Sequence, residues 1–197
     1  MKILNLGAGK VDLNELNPDD FTVCVDRCYA SGYDIDKTED SFITAKETVV
    51  FCKSGIFEFA DSFKFKFDKV VCERIFEHME YLTGEVGRLL EAINTLTVPG
   101  GILEIVVPNA LLIAKKLTRI ESSFRDGSVT VEDMNDLLIV TSESNNIRQD
   151  PHLSVWTPNL ARFYIEQEGI WDINGIDPKI KFAGRDIYMR IVCTKKL

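Results

Sequence analysis

Two histidines, His78 and His152, are all that the 197 residues contain, and the five cysteines include no pair at C-x-x-C spacing. A metal site built from imidazole and thiolate ligands has little to draw on, and none is expected. Basic charge is also short: 23 Lys and Arg stand against 31 Asp and Glu, a net charge of −8. Duplex nucleic acid, which needs a basic footprint for its phosphates, is therefore not an expected partner. No apolar run approaches the roughly 20 residues of a membrane span. The opening MKILNLG leaves no space for a secretory leader before the first apolar stretch. A cytoplasmic protein without a membrane partner is expected. Repeats and low-complexity tracts are missing too, so 1–197 reads as a single domain, its oligomeric state left open.

What is present is a series of short, nearly continuous apolar runs at 2–6, 21–25, 48–52, 67–72 and 102–107. Runs of this length and type read as strands of a parallel sheet covered on both faces by helices. Cys24, Cys52, Cys72 and Cys193 fall inside such runs and read as buried, reduced thiols; Cys28 lies just past one. Leu82, Val86, Leu89, Leu90, Ile93 and Leu96 keep a 3.6-residue stripe, and VPGG at 98–101 is expected to end that helix and turn the chain into the next strand. A helix is predicted over 110–120. A second is predicted to start at Thr130 and Asp133 and to run to about Val140. Residues 121–150 are acidic and poor in aromatics, so about 110–150 reads as a helical insertion over the sheet edge. Thr157-Pro158 opens a third helix with Leu160, Phe163 and Tyr164 as its apolar face and Gly169 as its stop. Two closing strands, about 170–176 and 187–193, should pair antiparallel. The late cluster Lys179, Lys181, Arg185, Arg190, Lys195 and Lys196 reads as a solvated hairpin surface.

Chemistry gathers at the end of the first strand. Gly7-Ala8-Gly9 follows it directly, and Asp26 ends the second strand nineteen residues after Gly7. Glycines there permit a tight turn and close approach of a ligand to the backbone. A carboxylate at the second strand's end can accept both hydroxyls of a ribose. A dinucleotide fingerprint would put a small residue at position 12, but the chain has Asp12, which would repel a pyrophosphate at a helix start. A phosphate-binding loop would need Gly-Lys-Ser/Thr, which is missing. A ribose-bearing ligand without phosphates fits best, and S-adenosyl-L-methionine is such a ligand.

With these residues in view, the chain resembles the class I S-adenosylmethionine-dependent methyltransferases, small type 11-like members in particular. LNLGAG resembles the family's first motif and VCVD its second strand with the ribose-binding acid. FDKVVCERIFEHME is similar to the fourth strand and the Glu-His segment after it. LLEAINTLTVPGGILEIVVPN and HLSVWTPNLARFYIEQEGIWDI resemble the family's helix–PGG–strand segment and late helix. The resemblance implies an α/β Rossmann-like sheet of seven strands in order 3-2-1-4-5-7-6, strand seven antiparallel, with helices on both faces. It implies that Gly7, Ala8 and Gly9 face the methionyl part, that Asp26 binds the ribose, and that Cys72 and Glu73 border the amino acid end and the methyl group. Asn5 replaces the family's first-motif acid, keeping a hydrogen-bonding oxygen but not the charge. Val11 replaces the third glycine. The acid that touches the adenine amine after strand three is missing; Ser54 offers a hydrogen bond there, and Phe57 an apolar wall or simply core.

Glu77 and His78 either cap the turn before the Leu82 helix or bring His78 to the mouth of the site as base or substrate contact. His152, just ahead of the Thr157 cap, is either a substrate-side group or a surface loop residue. Methyl transfer from a sulfonium is an in-line displacement, so orientation and exclusion of water do most of the catalytic task. A base is needed only for a hydroxyl or a protonated amine, and His152, His78 and Glu73 are the candidates. The expected activity is methylation of a small-molecule, sugar or lipid-linked acceptor. A ligand-binding or scaffold protein of the same fold without turnover is the alternative, and an NAD-dependent oxidoreductase a weaker one.

Overall fold

The computed structural model describes residues 1–9, 14, 16–27, 42–128, 130, 153–182 and 184–197. Among them, eight strands form one sheet: β1 (Lys2–Leu6), β2 (Phe21–Asp26), β3 (Phe42–Lys46), β4 (Val49–Lys53), β5 (Phe67–Glu73), β6 (Thr97–Pro108), β7 (Trp171–Phe182) and β8 (Arg185–Lys195). Their order is β3-β4-β2-β1-β5-β6-β8-β7. Without β3 this is the predicted 3-2-1-4-5-7-6, with β8 antiparallel to both β6 and β7. β1 pairs in parallel with β2 and with β5, so the strand order reverses at β1. The helices are α1 (Ile56–Ser62), α2 (Glu85–Leu96), α3 (Ala110–Asp126) and α4 (Pro158–Gln167). No helix among the described residues is long and apolar enough to cross a membrane.

The pleat divides the strands between two faces. Leu4, Leu6, Val23, Val25, Val70, Cys72, Leu103, Ile105 and Val107 join the main core with Phe59 of α1, the α2 stripe, and Ala161 and Ile165 of α4. Val106 points the opposite way, into a smaller cluster with Tyr188 and with Ile113 of α3. Helices thus lie on both faces. Val86, Leu89, Leu90, Ile93 and Leu96 of α2 are each 2% exposed or less. Each contributes about 1.5–3 kcal/mol by leaving water, which is what holds this helix to the sheet. Thr157 accepts a hydrogen bond from the Leu160 N–H at 3.2 Å, and Pro158 takes the first helical position of α4 as expected.

Several boundaries differ from the sequence reading. Leu82 is 90% exposed and lies outside α2. The chain turns through Tyr81–Gly84, closed by the Gly84 N–H on the Tyr81 carbonyl, before the helix begins at Glu85. VPGG does not separate helix from strand: β6 starts at Thr97, and an irregularity between the Phe67–Thr97 and Lys69–Ile102 pairs absorbs the extra residues. Gly100, at φ 74°, allows this. α3 continues past 120 to Asp126 and stops at Gly127, φ 74°. On α4 the buried residues are Ala161, Tyr164 and Ile165, and Phe163 is exposed. Both closing strands are longer than predicted. β3 was not legible at all. The helix predicted from Thr130 and Asp133 lies, beyond Thr130, outside the described residues.

Candidate functional site

Parallel strands carry their carboxyl ends to one edge, and an open α/β sheet places ligands where the strand order reverses. That point lies between β1 and β5. Gly7 and Gly9 leave β1 in the left-handed region, at φ 60° and 54°. The Ala8 N–H donates to the Val25 carbonyl at 3.1 Å, and the Gly9 N–H donates to Asp26 Oδ2 at 3.0 Å. The glycine turn is thereby folded over the end of β2 with the Asp26 carboxylate fastened to it. The Ser54 N–H donates to the Asp26 carbonyl at 3.1 Å and latches the end of β4 to the same place.

The two glycines serve different ends. A Cβ on Gly7 would stand 2.7 Å from Ile75 Cγ1, whereas among the described residues a Cβ on Gly9 meets only the Gly7 carbonyl, at 4.0 Å. Gly7 is required by packing; no described residue crowds Gly9. Asn5, two residues upstream, has its Oδ1 buried without a hydrogen-bond partner. A buried acceptor left unpaired costs about 1–3 kcal/mol, a cost that a ligand N–H would remove.

On the β5 side, Leu6 pairs with Cys72, so the register carries Gly7 to a place between Asp26 and Glu73. Cys72 points into the main core and is fully buried, and burial together with the neighbouring Glu73 charge pushes its thiol well above the usual range. Only its backbone borders the strand end; Glu73, half-buried, points to the other face. The remaining thiols are buried as predicted, and burial pushes Cys24 and Cys193 up to about 12. Cys28 lies outside the described residues.

Ser54 and Phe57 are only partly available. The Ser54 hydroxyl donates to the Gly55 carbonyl at 3.0 Å. Phe57 is packed against the core, and the Arg88 guanidinium stands 4.9 Å from its ring centre. Glu77 and His78 form a 3-10 turn, Phe76–His78. The N-cap of α2 is Gly84. The turn Phe76–His78 holds the chain entering α4. The Glu77 carbonyl accepts from the Leu153 and Ser154 N–H groups at 2.7 and 3.0 Å. The Ser154 hydroxyl donates to the Phe76 carbonyl and accepts from Trp156 Nε1, both at 2.8 Å. His152 lies outside the described residues. In the late basic cluster, Lys195 departs from the solvated reading. Its ammonium donates to the Asn94 and Thr97 carbonyls at 2.8 and 2.9 Å, at the carboxyl end of α2.

One residue of this edge gave no signal in the sequence. Arg74, directly after Glu73, has φ 56°, and it is the non-glycine residue with positive φ among those described. Its N–H donates to the Val106 carbonyl at 2.8 Å, so it is the pairing of β5 with β6 that imposes the conformation.

No family model matches the sequence, and no curated protein matches it. Solved structures do. An N-methyltransferase, NodS, from Bradyrhizobium japonicum WM9 aligns over 100% of this chain and 86% of its own at 12% identity, TM-score 0.59. A SAM-dependent methyltransferase from Archaeoglobus fulgidus aligns over 98% and 86% at 16% identity, TM-score 0.58. Human N-acetylserotonin methyltransferase, solved in complex with SAM, aligns over 100% of this chain and 48% of its own at 17% identity, TM-score 0.60. Identities this low speak for architecture and not for activity: the chain has the fold of the class I S-adenosylmethionine-dependent methyltransferases.

Proposed function

We propose that the protein binds S-adenosylmethionine at the Gly7–Gly9 turn and methylates a small-molecule acceptor. The observation that carries this reading is the fastening of the Asp26 carboxylate to the Gly9 N–H at the end of β1. Asp26 is then held where it can accept the two ribose hydroxyls, and the buried Asn5 oxygen can accept an N–H of the ligand's ammonium. When bound, the ligand supplies a sulfonium methyl already activated for displacement. The protein's own part is to orient the acceptor and exclude water. Where the acceptor is a hydroxyl or a protonated amine, Glu73, His78 and His152 are the groups proposed to take its proton. The solved structures of this fold include an N-methyltransferase and an O-methyltransferase family protein, so the fold does not select the reacting atom.

Asn5 favours a second reading, a ligand-binding protein without turnover, because it lacks the charge of the acid it replaces. Calorimetry on the whole chain with S-adenosylmethionine, S-adenosylhomocysteine and NAD tests the first step. The two sulfur ligands should bind and NAD should not. Failure of S-adenosylmethionine to bind overturns the proposal. Binding without methyl transfer to any of a panel of hydroxylated and amine compounds selects the second reading.

A further inference from the structure

Residues 153–156 cross the carboxyl edge of the sheet beside the glycine turn. A Cβ on Gly7 would touch Ile75, and Ile75 leads directly into the Phe76–His78 turn. The Glu77 carbonyl of that turn holds the Leu153 and Ser154 N–H groups. At the other end the Trp156 carbonyl accepts from the Ala110 N–H at 3.0 Å. Ala110 opens α3 just past Pro108, the last residue of β6. The crossing is therefore fixed at both ends, to the turn after β5 and to the helix after β6. Its side chains alternate. Ser154 and Trp156 turn inward and bond each other. Leu153 and Val155 turn outward, 49% and 61% exposed. At the α3 end Leu111 is 54% exposed, in a turn set by Asn109, whose side chain accepts from the Leu111 N–H at 3.0 Å. Neither 108–114 nor 153–158 holds a charged residue, in a chain that is 27% charged.

We infer that Leu153, Val155 and Leu111 form an apolar contact surface for the acceptor, and that the acceptor carries an aliphatic or aromatic body. A single exposed apolar side chain needs no explanation. Three on one hydrogen-bonded rim, at the edge where an open α/β sheet takes its ligands, form a surface that does. Three half-exposed side chains fall well short of the about 800 Å² per partner that a stable protein interface buries. Their extent suits a small molecule instead. The strand order places the Leu153 end beside β5 and the Trp156 end beside β6, with β1 on the far side of β5. An acceptor lying along the crossing therefore has one end near the glycine turn and the other toward α3. Covering the three side chains removes apolar area from water and keeps water from the transfer. This inference rests on the methyltransferase reading for the word acceptor. The apolar surface itself stands on the exposure and the hydrogen bonds.

The test is calorimetric titration of the full-length protein with phenol, 4-ethylphenol and 4-butylphenol, with and without S-adenosylhomocysteine. Affinity should rise at least about twofold with each added methylene. A double variant makes the crossing polar: Val155→Thr keeps the branch at Cβ, and Leu153→Asn keeps a side chain of similar size. In it the gain per methylene should fall by about half or more. Leu111→Gln, on α3, should lower the gain as well, and it decides alone if the double variant is unstable to urea. S-adenosylmethionine affinity in each variant should stay within about threefold of the parent. Affinity that does not climb with chain length, a climb unchanged in the variants, or parallel loss of S-adenosylmethionine affinity would each overturn the inference. So would a parent dimer, seen by sedimentation, that dissociates in the double variant, because the surface would then belong to a second copy. Failure of the parent to bind S-adenosylmethionine strikes the proposed function instead. The titrations without S-adenosylhomocysteine still decide the apolar surface, so the two failures are separable.

Discussion

Gly7 and Gly9 look equivalent in the sequence, and the structure separates them. Gly7→Ala adds a Cβ against Ile75 and a side chain at φ 60°. It should lose about 1–2 kcal/mol from the backbone and a further 1–3 kcal/mol or so from overpacking. Gly9→Ala, which no described residue crowds, should lose only about 1–2 kcal/mol. Urea unfolding of both variants measures the difference, and equal losses would contradict the Ile75 contact. Asp26→Ala should lower S-adenosylmethionine affinity at least about tenfold, read by calorimetry with the fold intact by circular dichroism. His152→Ala, if that residue is the base, should leave this affinity unchanged while turnover falls by about 10²–10⁴. The placement of the glycines and Asp26 at the ends of β1 and β2 was legible because strand-end spacing alone constrains it. Arg74 was not, because its φ is imposed by the pairing of β5 with β6, and nothing in the residue's chemistry announces it. The tie at the Glu77 carbonyl was not legible for a related reason: its hydrogen bonds come from Leu153 and Ser154, far along the chain.

Elements built on continuous apolar runs were placed correctly, and those whose limits depend on turns were not. The α2 stripe was extended back to Leu82 because its spacing fits, but the Tyr81–Gly84 turn removes that residue from the helix. β3 has few intrinsic markers; it forms by pairing with β4, whose apolar run was the only visible half of the hairpin. The segment that leads into α4 depends on Ser154. Its hydroxyl satisfies the indole N–H of Trp156, which is 1% exposed, and bonds the Phe76 carbonyl. Ser154→Ala leaves that donor buried and unpaired, and should destabilise the protein by about 1–3 kcal/mol. A shift of the urea midpoint with an unchanged slope would establish this; no shift would mean that Trp156 finds another partner. The Thr157 cap, by comparison, was legible because Ser/Thr followed by Pro marks a helix start locally.

The strand order of the whole molecule was legible through the resemblance, and the run of parallel strands and the closing hairpin through composition. The ties between layers were not, since they join residues distant in sequence. Asp186 is one such tie, linking α3 to the hairpin through Lys116 and Lys179, which hold its carboxyl down at about 2 against an ordinary 3.8. A carboxyl depressed on folding stabilises the native state above its unfolded value, and that contribution is lost as the pH falls through the folded one. Acid unfolding between about pH 4 and 2 should therefore be shallower in Asp186→Asn, as followed by fluorescence; parallel curves would show that the tie contributes nothing. The buried thiols allow a different measurement. Cys24, Cys52, Cys72 and Cys193 sit on β2, β4, β5 and β8, each at most 3% exposed, and their raised pKa values suppress the reactive thiolate. Alkylating reagent can reach each one only when its strand opens, so the protein carries four internal clocks spread across its sheet. If the sheet opens as a unit, mass spectrometry of partly labelled chains will find all four modified together. If the β4 side opens first, Cys52 will run ahead, and the ratio of its rate to that of Cys72 will measure how cooperative the fold is.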